Sequence, residues 1–338
     1  MSLMREEAEA SAAAVRACLA GQDAIAAAAA RLRALDPGLV VVCARGSSGH
    51  AGTFLRYVLS RDLGVVAAAS MPSVTSLYHR PQRLRGALFL AISQSGRSPD
   101  LIAATAAARA AGALTLALVN DAASPLAAAC EIALDVAAGP ERSVAATKTV
   151  LATLAACLAL AAAWTGSDRL AAALGRLPDR LAAAVALDWS PLTAELRRVD
   201  RMFTVGRGPG LAVASEAALK LAETTGIAGL AYSSAELPHG PRALAGPDFP
   251  LLGFAQDDAG RDGTAALLAD LAARGAPVLA AGIAGAGITT LPTLPPDHPD
   301  TDLLPYLVSF YLAAEAAARA RGHDPDHPPG LHKVTRTV

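Results

Sequence analysis

Residues 42–46 read VCARG and residues 204–208 read TVGRG, 162 positions further along the chain. The same step carries AISQS (91–95) onto GFAQD (253–257). With a one-residue shift, AGA (111–113) falls on RGA (274–276). An apolar run ending in Arg-Gly, met twice at a spacing that aligns a second and a third string, predicts one open-sheet domain written twice. Around the first copy, short apolar runs at 39–44, 65–69, 87–92, 114–119 and 132–136 are continuous rather than alternating, and helical stretches follow most of them. That pattern signals parallel strands covered on both faces. An alanine-rich helical lead-in precedes them, a long helix is expected over about 144–164, and Gly166-Ser167-Asp168 breaks it before a bridging helix at 168–186. The expected organisation is a lead-in at 1–34, a first domain at 35–167, a bridge at 168–190, a second domain at 191–322 and a tail at 323–338. The fold class is α/β, in two tandem flavodoxin-like three-layer domains.

Composition excludes several partners. Aromatic residues make up only 4% of the chain, too few for a base-stacking surface, and the formal charge of −1 comes with scattered basic residues. Nucleic acid and anionic membrane are therefore not expected partners. Cys18, Cys43, Cys130 and Cys157 are far apart and form no CxxC, so they read as small buried apolar residues of a reducing compartment. The apolar run at 150–164 is short for a membrane span, and no stretch has the layout of a signal peptide. A cytoplasmic location is expected.

Two loops invite an anion. ISQSGRSPD (92–100) follows a strand and opens a helix, with Ser98 suited to the N-cap, Pro99 to the first helical position and Asp100 to the first turn. CARGSSGHAG (43–52) places Ser47 and Ser48 before a helix in the same way. Each loop directs backbone N–H groups and hydroxyls at one spot near a helix N-terminus, an arrangement that favours phosphate. Adjacent strand ends of an open parallel sheet are where ligands of such folds bind. The second copy replaces Ser93, Gln94 and Ser95 by Ala255, Gln256 and Asp257, so it should repel the anion that the first copy holds.

Other motifs fail. The chain has no GxxxxGK[ST], neither serine loop contains GxSxG, and the glycines of GRGPG (206–210) are misplaced for a dinucleotide turn. His323, His327 and His332 lie in a proline-rich tail whose spacing fits no helical ligand pair, so no metal site is expected. ASEAALKLAETTG (214–226) reads as a helix with Glu216, Lys220 and Glu223 on one face, either as a solvated charged face or as a catalytic group. His239, between Pro238 and Gly240, is available for proton transfer. Only three of the 29 Lys and Arg residues are lysines: Lys148 in ERSVAATKTV (141–150), Lys220 in ASEAALKLAETTG and Lys333 in GLHKVTRTV (330–338).

Together CARGSSGHAG, ISQSGRSPD, ERSVAATKTV, SEAALKLAETTG (215–226), AELPHGPRAL (235–244) and DPDHPPGLHKVTRTV (324–338) resemble the sugar isomerase (SIS) family in its tandem form. That family includes the isomerase half of glucosamine-6-phosphate synthase and the shorter glucosamine-6-phosphate deaminases. The resemblance implies a sugar-phosphate cradle of Ser47, Ser48, Ser93, Gln94, Ser95 and Ser98, with Val144 and Ala146 lining the sugar. It implies Glu223 as the base moving a proton between sugar carbons 1 and 2, with Lys220 one turn before it. His239 is implied as the ring-opening histidine, supplied across a homodimer with a shared site, and Lys333 as a tail lysine reaching the open-chain sugar. No cofactor is implied. The chain departs from the synthase pattern at Ala146, where the synthase has serine, and at Pro329, where its tail has arginine. Positions 2 and 5 are Ser2 and Arg5, not the nucleophilic cysteine of a glutaminase domain.

The expected function is therefore an amino-sugar-6-phosphate deaminase that converts glucosamine 6-phosphate to fructose 6-phosphate and ammonia, its tail closing over the site. The alternatives are another phosphosugar isomerase, a ketoamine-phosphate deglycase, a glutaminase-less relative of the synthase, or a sugar-phosphate-binding regulator without turnover.

Overall fold

The computed structural model describes residues 1–331 and Lys333. It contains two five-stranded parallel sheets. The first is built from β1 (Leu39–Cys43), β2 (Val66–Ala69), β3 (Leu88–Ser93), β4 (Leu114–Val119) and β5 (Ile132–Asp135), in the order β2-β1-β3-β4-β5. The second uses β6 (Arg201–Gly206), β7 (Ala228–Ser233), β8 (Leu251–Phe254), β9 (Val278–Ala281) and β10 (Ile288–Leu291), in the order β7-β6-β8-β9-β10. Strand for strand these are the same doubly wound order, and β1 begins 162 residues before β6. Both sheets thus reverse direction between the first and third strands, which leaves a crevice at the carboxyl ends of that pair.

The five strands expected in the first copy are present, each within a residue or two of its expected bounds. β3 is buried along its full length, whereas β2 is half exposed as the edge strand. The sheet packs closely on its helices: a Cβ at Gly52, in the helix Gly46–Leu63, would lie 2.8 Å from a Val42 methyl of β1. The helix Lys148–Thr165 is apolar all round, as a core helix is. By length and composition it is apolar enough to cross a membrane, but 78% of it is buried among the protein's own elements. The four cysteines are in no disulfide, and three are buried. Burial pushes the Cys43 thiol up to about 11, and those of Cys18 and Cys130 up to about 12.

The described residues form two compact units that do not follow the chain continuously. One holds the first sheet and comprises Ala13–Glu141 and Lys148–Gly175, with which Lys333 also groups. The other holds the second sheet in Arg176–Leu331 and takes up two earlier segments, Met1–Ala12 and Arg142–Thr147.

The helical lead-in consists of three helices, Leu3–Glu9, Ser11–Leu19 and Gln22–Leu35. One local reading is corrected. The long helix starts at Lys148 rather than near residue 144. The stretch before it is otherwise engaged: the Arg142 and Ser143 amides are bonded to the Glu7 carboxylate, at 2.5 and 3.1 Å, and Glu141 Oε1 accepts from the Thr149 amide in the helix's first turn at 3.4 Å. The bridging helix is Asp168–Ala184, close to expectation.

Candidate functional site

In the first-sheet unit both serine loops lie at the reversal point, because they follow the paired strands β1 and β3. Ser47 and Ser48 stand in the first turn of the helix Gly46–Leu63, and both are half-buried. Ser98 is the N-cap residue of the helix Pro99–Ala110, with Pro99 at its first position, but its hydroxyl makes no capping bond. Ser93 Oγ accepts from the Gly96 amide at 3.0 Å, and Ser95 Oγ accepts from the Arg97 amide at 3.3 Å. A hydroxyl that accepts within its own loop keeps its hydrogen to donate outward, which is what an anion requires. Gly96 permits the turn at φ 61°, and a Cβ there would meet Ser124 Oγ at 2.1 Å.

Sequence reasoning missed the bond that joins the two loops. The Arg45 guanidinium donates to Asp100 Oδ2 through Nε at 3.1 Å and Nη2 at 2.9 Å, and the Asp100 side chain is fully buried. Both residues stand within the serine-loop motifs, but Asp100 reads from sequence as an ordinary first-turn acid.

The corresponding crevice of the second sheet is filled by its own side chains. Gln256, 2% exposed, donates through Nε2 to the Arg207 carbonyl at 3.1 Å and to Asp258 Oδ2 at 2.7 Å. Its Oε1 would lie 2.7 Å from a Cβ on Gly210, so glycine there makes room for it. Asp257 adds a carboxylate, paired with Arg261 at 3.1 Å. A buried amide and two carboxylates in this loop disfavour an anion.

The second-sheet unit carries the acid–base candidates. The helix Pro209–Lys220 passes into a single π turn, Leu221–Thr225, and ends at Gly226 with φ 70°. Thr224 and Thr225 return their hydroxyls to the carbonyls of Lys220 and Leu221 at 2.7 and 2.6 Å, a back-bonding pattern that bends helices. Arg321 Nε donates to the Thr225 carbonyl at 3.0 Å and fixes the end of the turn. Single π turns inside helices are frequent at functional sites.

Glu216, Lys220 and Glu223 share a face, and that face is buried, not solvated. Lys220 Nζ lies 2.5 Å from Glu223 Oε2 and 3.4 Å from Glu216 Oε1. The side chains of Lys220 and Glu216 are each 1% exposed, whereas that of Glu223 is 20% exposed. Tyr311, fully buried, donates its hydroxyl to Glu216 Oε1 at 3.2 Å. The cation is therefore shared between an interior carboxylate held by a phenol and an outer carboxylate that solvent reaches. Nothing in the sequence pattern marks Tyr311, which is 95 residues from Glu216.

His239 closes the short helix Leu237–His239 and is exposed. In the segment 141–147 burial alternates, with Ser143, Ala145 and Thr147 buried and Val144 and Ala146 half-buried. Lys333 is half-buried. In the tail, the His327 ring lies 2.9 Å from Asp324 Oδ2, and His332 lies outside the described residues. Among the described residues no three His, Cys, Asp or Glu side chains converge as metal ligands would.

The family profile of the SIS domain matches residues 36–163 and 195–293, together more than half of the chain. The glutamine–fructose-6-phosphate aminotransferase (isomerizing) of Symbiobacterium thermophilum is 34% identical over 322 residues, covering 90% of this chain and 52% of that protein. The chain thus spans about half the length of the curated relatives it matches. A crystal structure from Silicibacter pomeroyi, described as that of a phosphosugar isomerase, superposes with a TM-score of 0.93 at 45% identity, covering 96% of this chain and all of that one. Glucosamine-6-phosphate deaminase from Thermotoga maritima shares the fold at a TM-score of 0.74 and 21% identity, over 94% of this chain and 99% of its own. With two sheets of one strand order and a profile match to each, the chain belongs to the SIS domain family as a tandem pair of such domains.

Proposed function

We propose that this chain is a phosphosugar isomerase acting on amino-sugar 6-phosphates, converting glucosamine 6-phosphate and water to fructose 6-phosphate and ammonia. The observation that carries the reading is Glu223, a partly exposed carboxylate 2.5 Å from a buried lysine that it shares with Glu216. A base poised in this way suits proton transfer beside a carbonyl. The phosphate is held by the hydroxyls of Ser47, Ser48, Ser93, Ser95 and Ser98 with Gln94, which fixes the reacting carbons by the substrate's strongest handle. His239 moves the proton that opens the pyranose ring, and Val144 and Ala146 line the sugar. Glu223 takes the proton from carbon 2 of the open aldehyde and returns it at carbon 1. The amine at carbon 2 is then an imine. Water adds there, ammonia leaves, and the ketose remains.

Lys333 reaches the open-chain carbonyl, where an amine can form an imine and a guanidinium cannot. Lys333→Arg, which keeps the charge, is expected to lose most activity. Normal turnover by that variant would reduce Lys333 to a plain cation.

The test is an assay for ammonia and fructose 6-phosphate with glucosamine and galactosamine 6-phosphates side by side, against Glu223→Gln. No product above that control overturns the reading. A second reading, aldose–ketose isomerisation without loss of nitrogen, uses the same residues and draws on the description of the Silicibacter pomeroyi relative. Turnover of neutral hexose 6-phosphates without ammonia release would favour it.

A further inference from the structure

The N-terminal helix Leu3–Glu9 is only seven residues long, yet a carboxylate grips its start and its own Glu7 carboxylate grips another segment near its end. At its start Asp326 accepts from the Leu3 amide at 2.7 Å through Oδ2 and from the Met4 amide at 2.8 Å through Oδ1. These are amides that a helix cannot satisfy internally. Ser2 caps the same end and donates to Glu315 Oε1 at 2.7 Å, where Glu315 is 1% exposed. Near the other end the Glu7 side chain, 3% exposed, turns away from its own helix. Its Oε1 accepts from the Arg142 amide at 2.5 Å and its Oε2 from the Ser143 amide at 3.1 Å. Arg142 also pairs with Glu6 at 3.0 Å. Met4 and Ala8 are buried between the two grips, so the helix is seated along its length.

A carboxylate that takes two successive backbone amides makes charge-assisted bonds and fixes the peptide plane between them. That plane leads directly into Val144 and Ala146. We propose that Glu7 is a positioning residue for the segment 141–147, and that Asp326 positions Glu7 in turn. The short helix then ties the start of the C-terminal tail, seven residues before Lys333, to the segment that presents Val144 and Ala146. The importance of this link for turnover rests on the phosphosugar reading, whereas the link itself does not.

The experiment is amide hydrogen exchange of the full chain, read on peptides covering 141–147, for the wild type, Glu7→Gln, Asp326→Asn and the double variant. Far-UV circular dichroism confirms that each is folded. Glu7→Gln loses one charge-assisted acceptor and should speed exchange at Arg142 and Ser143 by roughly tenfold or more. Asp326→Asn touches neither amide, yet it should speed exchange there several-fold. The double variant should exceed Glu7→Gln only slightly, because both changes cut one connection. Unchanged exchange at 141–147 in Asp326→Asn overturns the link, and unchanged exchange in Glu7→Gln overturns the positioning role.

A kinetic arm then reads the consequence for substrate. With glucosamine 6-phosphate, KM should rise by roughly tenfold in Glu7→Gln with a smaller change in kcat, since segment 141–147 binds the sugar but supplies no proton. An equal fall in kcat with KM unchanged overturns the positioning role. If the wild type turns over no phosphosugar, the phosphosugar reading has failed, and the exchange data alone decide the link.

Discussion

Replacing Lys220 by methionine tests whether the buried cluster is a charge-compensated unit. The substitution keeps the length and apolar stem of the side chain and removes only the ammonium. In the native structure that ammonium faces Glu216 at 3.4 Å and Glu223 at 2.5 Å. Glu223 is 20% exposed and can recover water, whereas Glu216 at 1% cannot, although it still accepts from the Tyr311 hydroxyl at 3.2 Å. Removing one partner of a buried pair costs roughly 3–5 kcal/mol, chiefly through the charge left behind. The double variant Glu216→Gln/Lys220→Met removes that charge, and its glutamine still accepts from Tyr311. It should regain about 2 kcal/mol or more relative to Lys220→Met, a coupling typical of residues in direct contact. The assay is urea denaturation followed by tryptophan fluorescence. Trp189 lies in the second-sheet unit with the cluster and Trp164 in the first-sheet unit, so a Trp164→Phe background reports the relevant transition alone. A loss below about 1 kcal/mol for Lys220→Met, or a double variant no more stable than the single, refutes the argument that burial makes this lysine obligatory.

Three further outcomes are expected. Gly96→Ala forces a side chain onto a φ of 61° with its Cβ 2.1 Å from Ser124 Oγ, and Gly96 also donates its amide to Ser93 Oγ. The variant should lose roughly 1–3 kcal/mol of stability and raise KM for the phosphosugar by tenfold or more, while a KM within twofold of wild type contradicts a phosphate role for this loop. Because burial raises the Cys43 thiol from about 9 to about 11, the native state keeps a proton that the unfolded state releases between those values. Cys43 therefore adds a loss of stability as pH rises through that window, by up to about 1.4 kcal/mol per pH unit, and Cys43→Ala should flatten the curve above pH 9 by that amount in urea titrations. Finally, if His239 serves the site of a partner subunit, mixing inactive Glu223→Gln with inactive His239→Asn after subunit exchange should restore roughly a quarter of wild-type activity, because half of the dimers then hold one unblemished site. No recovery despite proven exchange places each histidine in its own subunit's site.

Much of the architecture was determined by sequence alone. Short continuous apolar runs that alternate with helical stretches read as strands buried on both faces, so parallel sheets followed from them. The 162-residue step made the second sheet a copy of the first, and their identical strand orders show how far the repeat extends. The starts of the serine loops' helices were equally readable, since helix-start preferences are local: Ser98, Pro99 and Asp100 take the positions their types prefer.

What tertiary structure alone decided concerns surroundings. Helical spacing puts Glu216, Lys220 and Glu223 on one face whether that face meets water or protein, because periodicity fixes neighbours along a helix and not what covers them. The covering group includes Tyr311 from a helix 95 residues away, and only its packing makes the lysine a buried, shared cation. The start of the helix Lys148–Thr165 was likewise beyond local reading. Its sequence permits an earlier first turn, but the Arg142 and Ser143 amides just ahead of that turn are held by Glu7, whose place next to them exists only once the chain has folded.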